Sequence, residues 1–293
     1  LANSFIKPLL ENHIKNGRVH ATFNQIRADD SGTPARLSCS NPNLQQIPKR
    51  DKEIALLFRR AFLPDPGYEF NEADWSQCEP RLFAHYAKEP TLIAGYNKTP
   101  FEDVHTIVAK MLGVERDPTA KRMNMGIFTG MYPKTFAEHM GWDLAKATES
   151  WNQWHSMFPQ IREFQDKAKS ALLQRRWIKT ILGRKLRLEH ERFAYRAVSK
   201  IIQGGNADIM KYFMIDIDEM LESSGDKTAH LLASVHDSLA WQSLKGVSGN
   251  KATEEIKRRM VAVQEPPFNL RVPFVVEHHK GSNWAAATFG KGD

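Results

Sequence analysis

The sequence predicts an α+β fold: an antiparallel sheet interrupted by a long helical insertion. Three observations carry this. A β-rich run from Tyr68 to Asp74 leads into a helix start at Ser76. A second stretch, Leu231 to Gln242, is apolar on both sides of a brief polar step at His236-Asp237-Ser238, the pattern of a hairpin with an acid at its tip. Between the two lie long runs of helical periodicity and one further hairpin pattern, Trp177 to Arg184.

Residues 1–19 carry a short helix pattern built on Phe5-Ile6, Leu9-Leu10 and Ile14. Residues 20–50 are loop-rich, with a turn at Asn41-Pro42, and dense in amides and arginines suited to phosphates, sugars and minor-groove acceptors. Ala55 to Pro64 reads as a β-rich run, and Asp65-Pro66-Gly67 as the turn that follows it. Ser76, with Glu79 three residues on, makes a capping-box pattern. Asp74 is then left at the end of its strand, where side chains project into a cleft. Residues 82–115 read as helical, and Asp117-Pro118 marks a further helix start, N-cap then first turn. Helical patterns also run from Glu138 to Arg176, interrupted near Pro159, and over residues 190–221 and 250–263. Val272 to Val276 returns to β.

The chain has 293 residues, 41% of them hydrophobic, enough for one large domain or two ordinary ones. It has no apolar run long enough for a membrane span and no signal-peptide pattern, so a cytoplasmic protein is expected. It starts at Leu1 instead of Met, which suggests a fragment or processed product. Its two cysteines, Cys39 and Cys78, belong to no metal-binding pattern and read as small buried hydrophobes. A formal charge of +7 permits a polyanionic partner without establishing one. Basic clusters at Lys49–Lys52, Arg175-Arg176 and Arg184–Arg187 each read first as solvated faces.

The chemistry rests on the two acids. Either Asp alone reads as a turn or cap residue. Brought together by two strands, their carboxylates repel unless cations neutralise them. Hard divalent ions take oxygen ligands and leave room for substrate phosphates. A pair of such ions can activate an attacking oxygen and stabilise a leaving one. Beyond Asp117, the residues Lys121, Met125 and Thr129 fall on one helix face, which an ordinary amphipathic helix would also produce.

Several motifs, in order and over nearly the whole chain, resemble those of family A (polymerase I type) DNA polymerases. Asp74-Trp-Ser-Gln-Cys-Glu-Pro-Arg81 is similar to motif A, Asp-Tyr-Ser-Gln-Ile-Glu-Leu-Arg. Val235-His-Asp-Ser238 is similar to motif C, Val-His-Asp-Glu, and Lys121 to Gly130 to the motif B helix. Arg36 to Pro48 resembles the family loop Arg-Leu-Ser-Ser-Ser-Asp-Pro-Asn-Leu-Gln-Asn-Ile-Pro, although Thr33-Pro34-Ala35 departs from the Thr-Gly before it. The resemblance implies a palm at residues 1–88, with a remnant of the thumb base at 1–19 and the thumb otherwise largely absent. It implies helical fingers at 89–189 and the rest of the palm at 190–293.

It further implies template-directed transfer of deoxynucleotides onto a primer 3′-hydroxyl in DNA replication or repair. Asp74 and Asp237 would be the catalytic residues and would hold two Mg²⁺ ions. Lys121, His105, Glu79, Gln77, Met125 and Arg116 would face the nucleoside triphosphate, Glu79 as the gate against ribose. Arg36, Asn43, Gln45, Thr129, Gln203 and His236 would face the primer–template. Met125 stands where the family has an aromatic, Thr129 where it has Tyr, Ser199 for Asn and Ser238 for Glu. Asp117 occupies the position of the motif B Arg, and Arg116 beside it is taken for that role. Upstream thumb or exonuclease domains and a processivity factor are the further partners implied, with no membrane. Three alternatives stay open: a single-subunit RNA polymerase, an RNA-templated polymerase and a non-catalytic nucleic-acid-binding module.

Overall fold

The structure is a computed structural model that describes residues 6–7, 9–25, 35–49, 51–188, 190–223 and 227–290. Its strands are β1 Ile14–Lys15, β2 Arg18–Val19, β3 Thr22–Asn24, β4 Ser38–Ser40, β5 Tyr68–Trp75, β6 Trp177–Lys179, β7 Lys185–Arg187, β8 Ala229–Val235, β9 Ser238–Leu244 and β10 Val276–Gly281. Its helices begin with α1 Lys52–Arg60, α2 Cys78–Ala87, α3 Pro90–Tyr96, α4 Val104–Leu112, α5 Lys121–Phe128 and α6 Pro133–Met140. They continue with α7 Leu144–Met157, α8 Pro159–Arg175, α9 Ala197–Ser223, α10 Val247–Met260 and α11 Trp284–Phe289. The chain divides into two compact units: one drawn from Leu1–Ser76, Ile209–Ala262 and Val275–Asp293, the other from Gln77–Asp208 and Val263–Phe274. Among the described residues no helix is long and apolar enough to cross a membrane.

The first unit is built on a four-stranded antiparallel sheet in the order β10-β5-β9-β8. Side chains alternate across β5, so Phe70, Glu72 and Asp74 share one face and Asn71, Ala73 and Trp75 the other. Helices α1 and α11 cover the first face. There Phe70 stacks on Trp284 at 5.8 Å, and Phe62 meets the same indole edge-on at 5.2 Å. Cys39, Leu44, Ile47, Ala240 and Ala287 complete this core. On the second face Trp75 packs against Phe213 and donates its indole N–H to the Met260 carbonyl at 2.9 Å. With both faces buried, register is strongly specified, and it sets Asp74 opposite Ser238 and Glu72 opposite Ala240.

The second unit is helical apart from the hairpin β6–β7. Helix α5 buries Ala120, Met123, Asn124, Ile127 and Phe128, the 3.6-residue spacing, and leaves Lys121 and Arg122 exposed. Phe128 stacks on Phe83 at 4.6 Å and meets Trp154 edge-on at 5.2 Å. The segment Val263–Phe274 is tied down by Arg81, which is fully buried. Arg81 donates to the Pro273 carbonyl at 2.7 Å and lies over Tyr96 and Phe101. Hairpin β6–β7 is fastened to α9 by Asp208, which accepts from the Thr180 hydroxyl and, at 2.8 Å, from Arg184.

Four local expectations change. The run expected as β from Ala55 is helix α1, capped by the Asp51 carboxylate accepting from the Ile54 amide at 3.2 Å. Its Leu, Phe, Ala and Arg residues are helix formers or neutral, and Ala55 and Arg59 fall at i, i+4 on the buried side. The helix expected to start at Ser76 begins two residues later: α2 starts at Cys78, and Gln77, in a left-handed conformation, takes the cap position without a cap bond from its own side chain. The helix expected before residue 19 is one turn at Leu9–His13, followed by hairpin β1–β2. Its two-residue turn, Asn16-Gly17, has positive φ at both positions, the Asn-Gly hairpin signature. The last β run starts at Val276, not Val272.

Candidate active site

Asp74 stands at the end of β5, and Asp237 in the two-residue turn that joins β8 to β9. That turn is made possible by His236, whose φ of 59° lies in the left-handed region. The Asp237 carbonyl accepts from the Trp75 amide at 3.2 Å, so the two acid-bearing segments are stitched to each other by the backbone. Burial, and then the Asp237 carboxylate, push the Asp74 pKa up to about 6; Lys49 pulls the other way, its Nζ 3.4 Å from Asp74 Oδ2. The pair thus concentrates negative charge with one exposed lysine beside it.

The other expected residues of this unit lie on the loop before α1 and on the turn. Asn43 caps the short helix Leu44–Gln46, its side chain accepting from the Gln45 amide at 3.1 Å. Gln45 donates to the Ser234 carbonyl of β8 at 3.1 Å, fastening that loop to the acid-bearing hairpin. Arg36 follows Ala35, whose φ of 68° lies in the left-handed region that favours glycine, the residue the family has at that position. The Arg36 charge is close enough to His236 to act, after burial, in lowering the imidazole pKa.

In the second unit three expected residues meet around one that the sequence did not reveal. Asp103, the N-cap of α4, accepts from the His105 amide at 2.9 Å, Gln77 Nε2 at 2.9 Å, the Thr106 hydroxyl at 3.2 Å and Arg116 Nε at 2.6 Å. Burial pushes the Asp103 carboxyl up, but the His105 amide and Arg116 together hold it below its usual value. Gln77 also accepts from the Tyr96 hydroxyl at 2.9 Å, which explains a side chain unavailable for capping α2. Arg116 is shared with Asp117, whose extended backbone fits a residue before proline. His105 is buried, not a surface residue, and its pKa is lowered first by that burial. Its Nδ1 is 2.9 Å from the Asn124 amide nitrogen, while Asn124 Oδ1 accepts from Trp154 Nε1 at 2.6 Å. Amide and indole together orient the ring.

Lys121, Met125 and Thr129 follow one another along α5, with Lys121 exposed and Met125 half-buried. The Thr129 hydroxyl turns back onto its own helix, donating to the carbonyls of Met125 and Gly126 at 3.0 and 2.9 Å. Glu79 is half-buried in the first turn of α2, favourable for an acid. Gln203 is half-buried on α9.

Sequence reasoning missed Glu72, Asp103, Asn124 and Lys49. Glu72 carried a signal, a carboxylate two residues before Asp74 in the same strand and hence on the same face. Lys49 was read only as part of a solvated cluster. Asp103 and Asn124 act through contacts that no spacing encodes.

The donor set suits a hard divalent cation. Two carboxylates lie close enough to repel, and that repulsion at Asp74 is what a cation would relieve. Among the described residues no group of three or more His, Cys, Asp or Glu converges to hold a metal ion unaided.

Comparison with known proteins places the chain. A sequence model of DNA polymerase family A matches residues 1–286. The chain is 33% identical over 320 aligned positions to DNA polymerase DpoZ of Acinetobacter phage SH-Ab 15497, covering 98% of this chain and 50% of that protein. It is 30% identical over 308 positions to the thermostable DNA polymerase I of Thermus aquaticus, covering 98% of this chain and 35% of that protein. It thus spans half or less of the length of these relatives. A solved structure described as the POL domain of Pol1 from M. smegmatis, in complex with DNA primer-template and dNTP, superposes with a TM-score of 0.85 at 28% identity. That match covers 97% of this chain and 51% of the other. The chain belongs to DNA polymerase family A.

Proposed function

We propose that this chain carries the nucleotidyl-transfer centre of a DNA-directed DNA polymerase, extending a primer 3′-hydroxyl with deoxynucleotides. The observation that carries the reading is the juxtaposition of Asp74 and Asp237 by β5 and the β8–β9 turn, with Asp74 driven well above its usual pKa. The relatives and the solved neighbour bearing polymerase names support it.

In this reading Asp74 and Asp237 hold two Mg²⁺ ions. When bound, these would lower the barrier to attack by the hydroxyl and neutralise charge on the leaving pyrophosphate. The residues of the chain do the rest. Lys121 binds the triphosphate as a mobile point charge. Buried His105, oriented by Asn124, offers its second ring nitrogen to a phosphate oxygen. Arg116 contributes charge from its place beside Asp103, and Gln77 and Met125 line the nucleotide's approach. Glu79 crowds the ribose 2′ position and favours deoxynucleotides. Arg36, Asn43, Gln45, Thr129, Gln203 and His236 are assigned to the primer–template. The palm would comprise residues 1–88 and 190–293, the fingers residues 89–189.

The test is primer extension on a defined DNA template with Mg²⁺, offering dNTPs or rNTPs, with Asp237→Ala in parallel. Template-matched dNTP addition that the substitution abolishes is the expected result. Extension with rNTPs instead would move the reading to an RNA polymerase. Duplex binding without extension, in this chain and in one lengthened upstream, would leave a binding module.

A further inference from the structure

Glu72 is buried at 5% exposure on the face of β5 that carries Asp74. Its two carboxylate oxygens are divided between two sides. Oε1 accepts from the hydroxyl of Ser238, the residue after Asp237, at 3.1 Å. Oε2 accepts from Trp284 Nε1 at 2.8 Å and the Thr288 hydroxyl at 2.6 Å, with Arg59 Nη1 3.6 Å away. Arg59, at 1% exposure, lies over the Trp284 ring and donates from Nη1 to Thr288 at 2.9 Å. Its Nε donates to the Pro48 carbonyl at 3.3 Å. The next residue is Lys49, the cation at Asp74.

Followed as a chain, these contacts run from the backbone beside Asp237, through Ser238, Glu72 and Arg59, to the backbone beside Lys49. Both ends border Asp74. We propose that Glu72 is a positioning residue for the acid pair: with Arg59 it forms a buried brace that sets where Asp237 and Lys49 stand relative to Asp74. The inference rests on the proposed reading of Asp74 and Asp237 as the metal-holding pair and names what keeps them in place.

The plain alternative is an ion pair that merely stabilises the fold. Buried ion pairs are poor stabilisers, because desolvation consumes most of the Coulombic gain and apolar replacements are often neutral or better. Placing a third carboxylate on the same strand face as Asp74 also adds repulsion that a purely structural pair has no reason to carry. The position of Ser238 is the second pointer. A hydroxyl at the foot of the acid-bearing turn, itself 2% exposed, is committed to Glu72 and to the Val235 carbonyl at 3.2 Å. It thereby holds both sides of the turn that presents Asp237.

The test is a titration of the purified chain with Mn²⁺ alone, without nucleotide or DNA, following free Mn²⁺ by electron paramagnetic resonance. Thermal unfolding of each variant is recorded alongside. The unaltered chain is expected to bind Mn²⁺ and Asp74→Asn to lose that binding. Glu72→Gln and Ser238→Ala are each expected to weaken it about tenfold. The double variant should be no weaker than Glu72→Gln, because both act through one path. Should Glu72→Gln fail to fold, Ser238→Ala, which leaves the other partners of Glu72 intact, decides alone. Lowered thermal stability with Mn²⁺ affinity within twofold of the unaltered chain would overturn the brace and leave the acid pair standing. No Mn²⁺ binding by the unaltered chain, or binding unchanged by Asp74→Asn, would instead sink the acid-pair reading on which the brace rests.

Discussion

Asp237 and Lys121 separate two kinds of contribution to the proposed reaction. Asp237→Ala removes half of the charge that would hold the metals while leaving the strands intact. Single-nucleotide incorporation should fall by roughly 10³-fold or more, with an unfolding temperature close to that of the unaltered chain. Lys121 is exposed and would meet only phosphate, so Lys121→Ala should raise KM for the nucleotide by roughly ten- to a hundredfold. A Lys121→Ala variant with an unaltered KM would remove that residue from the site. At Met125 a flexible thioether replaces a flat ring, and discrimination between deoxy and dideoxy nucleotides is the property expected to move. Competition between the two substrates, in this chain and in Met125→Phe, measures it.

Helix α5 joins these residues to the packing beneath them. Its exposed side carries Lys121, while Phe128 is wedged between Phe83 and Trp154. Phe128→Ala should cost about 3–5 kcal/mol in chemical denaturation. The helix and the face that carries Lys121, Met125 and Thr129 were legible in the sequence, because residues at i, i+4 and i+8 of a helix line up. The strand carrying Asp74 was legible as a β-rich run behind a turn, and the hairpin carrying Asp237 as two apolar runs about a short polar step. The α1 segment was not: its run of Leu, Phe and Ala suits strand or helix equally. What decides it is the Asp51 carboxylate three residues before Ile54, and Asp51→Ala should cost about 1 kcal/mol. The start of α2 shifted from its expected place: Gln77, in the cap position, adopts a left-handed backbone and spends its amide on Asp103 and Tyr96, contacts to residues 26 and 19 positions away. Asn124 and Asp103 stayed hidden in the same way. A buried polar residue looks in sequence like an interruption, and only the packed structure supplies its partners.

At the scale of the whole molecule, three histidines lead the response to acid and outnumber Asp74, whose raised pKa of about 6 acts in the opposite sense. Burial lowers the pKa of His85, His155 and His278 to about 4, helped by Arg271, Arg162 and Lys257 respectively. In the unfolded chain each titrates near 6.5, so between about 6.5 and 4 the unfolded state binds more protons than the folded one. Stability should therefore be complete above about pH 6.5 and decline as pH falls toward 4, visible as a falling unfolding temperature over that window. An unfolding temperature flat from pH 7 to 4 would contradict the burial of these rings. The formal charge of +7 gives the second expectation, that affinity for duplex DNA drops roughly 10²-fold or more between about 50 and 200 mM salt. The pairing of β5 with β9 has a consequence for how the molecule is made. Asp74 faces Ser238, so the strand that completes the acid pair is translated 164 residues after the first acid. At ordinary ribosomal speed that is a wait of roughly 10–30 s. Throughout it, β5 has neither sheet neighbour, because β10 is synthesised later still. Almost all of the second unit emerges in that interval and can fold first. From the emergence of β5 to that of β9 the nascent chain thus carries an unpaired strand and no assembled acid pair.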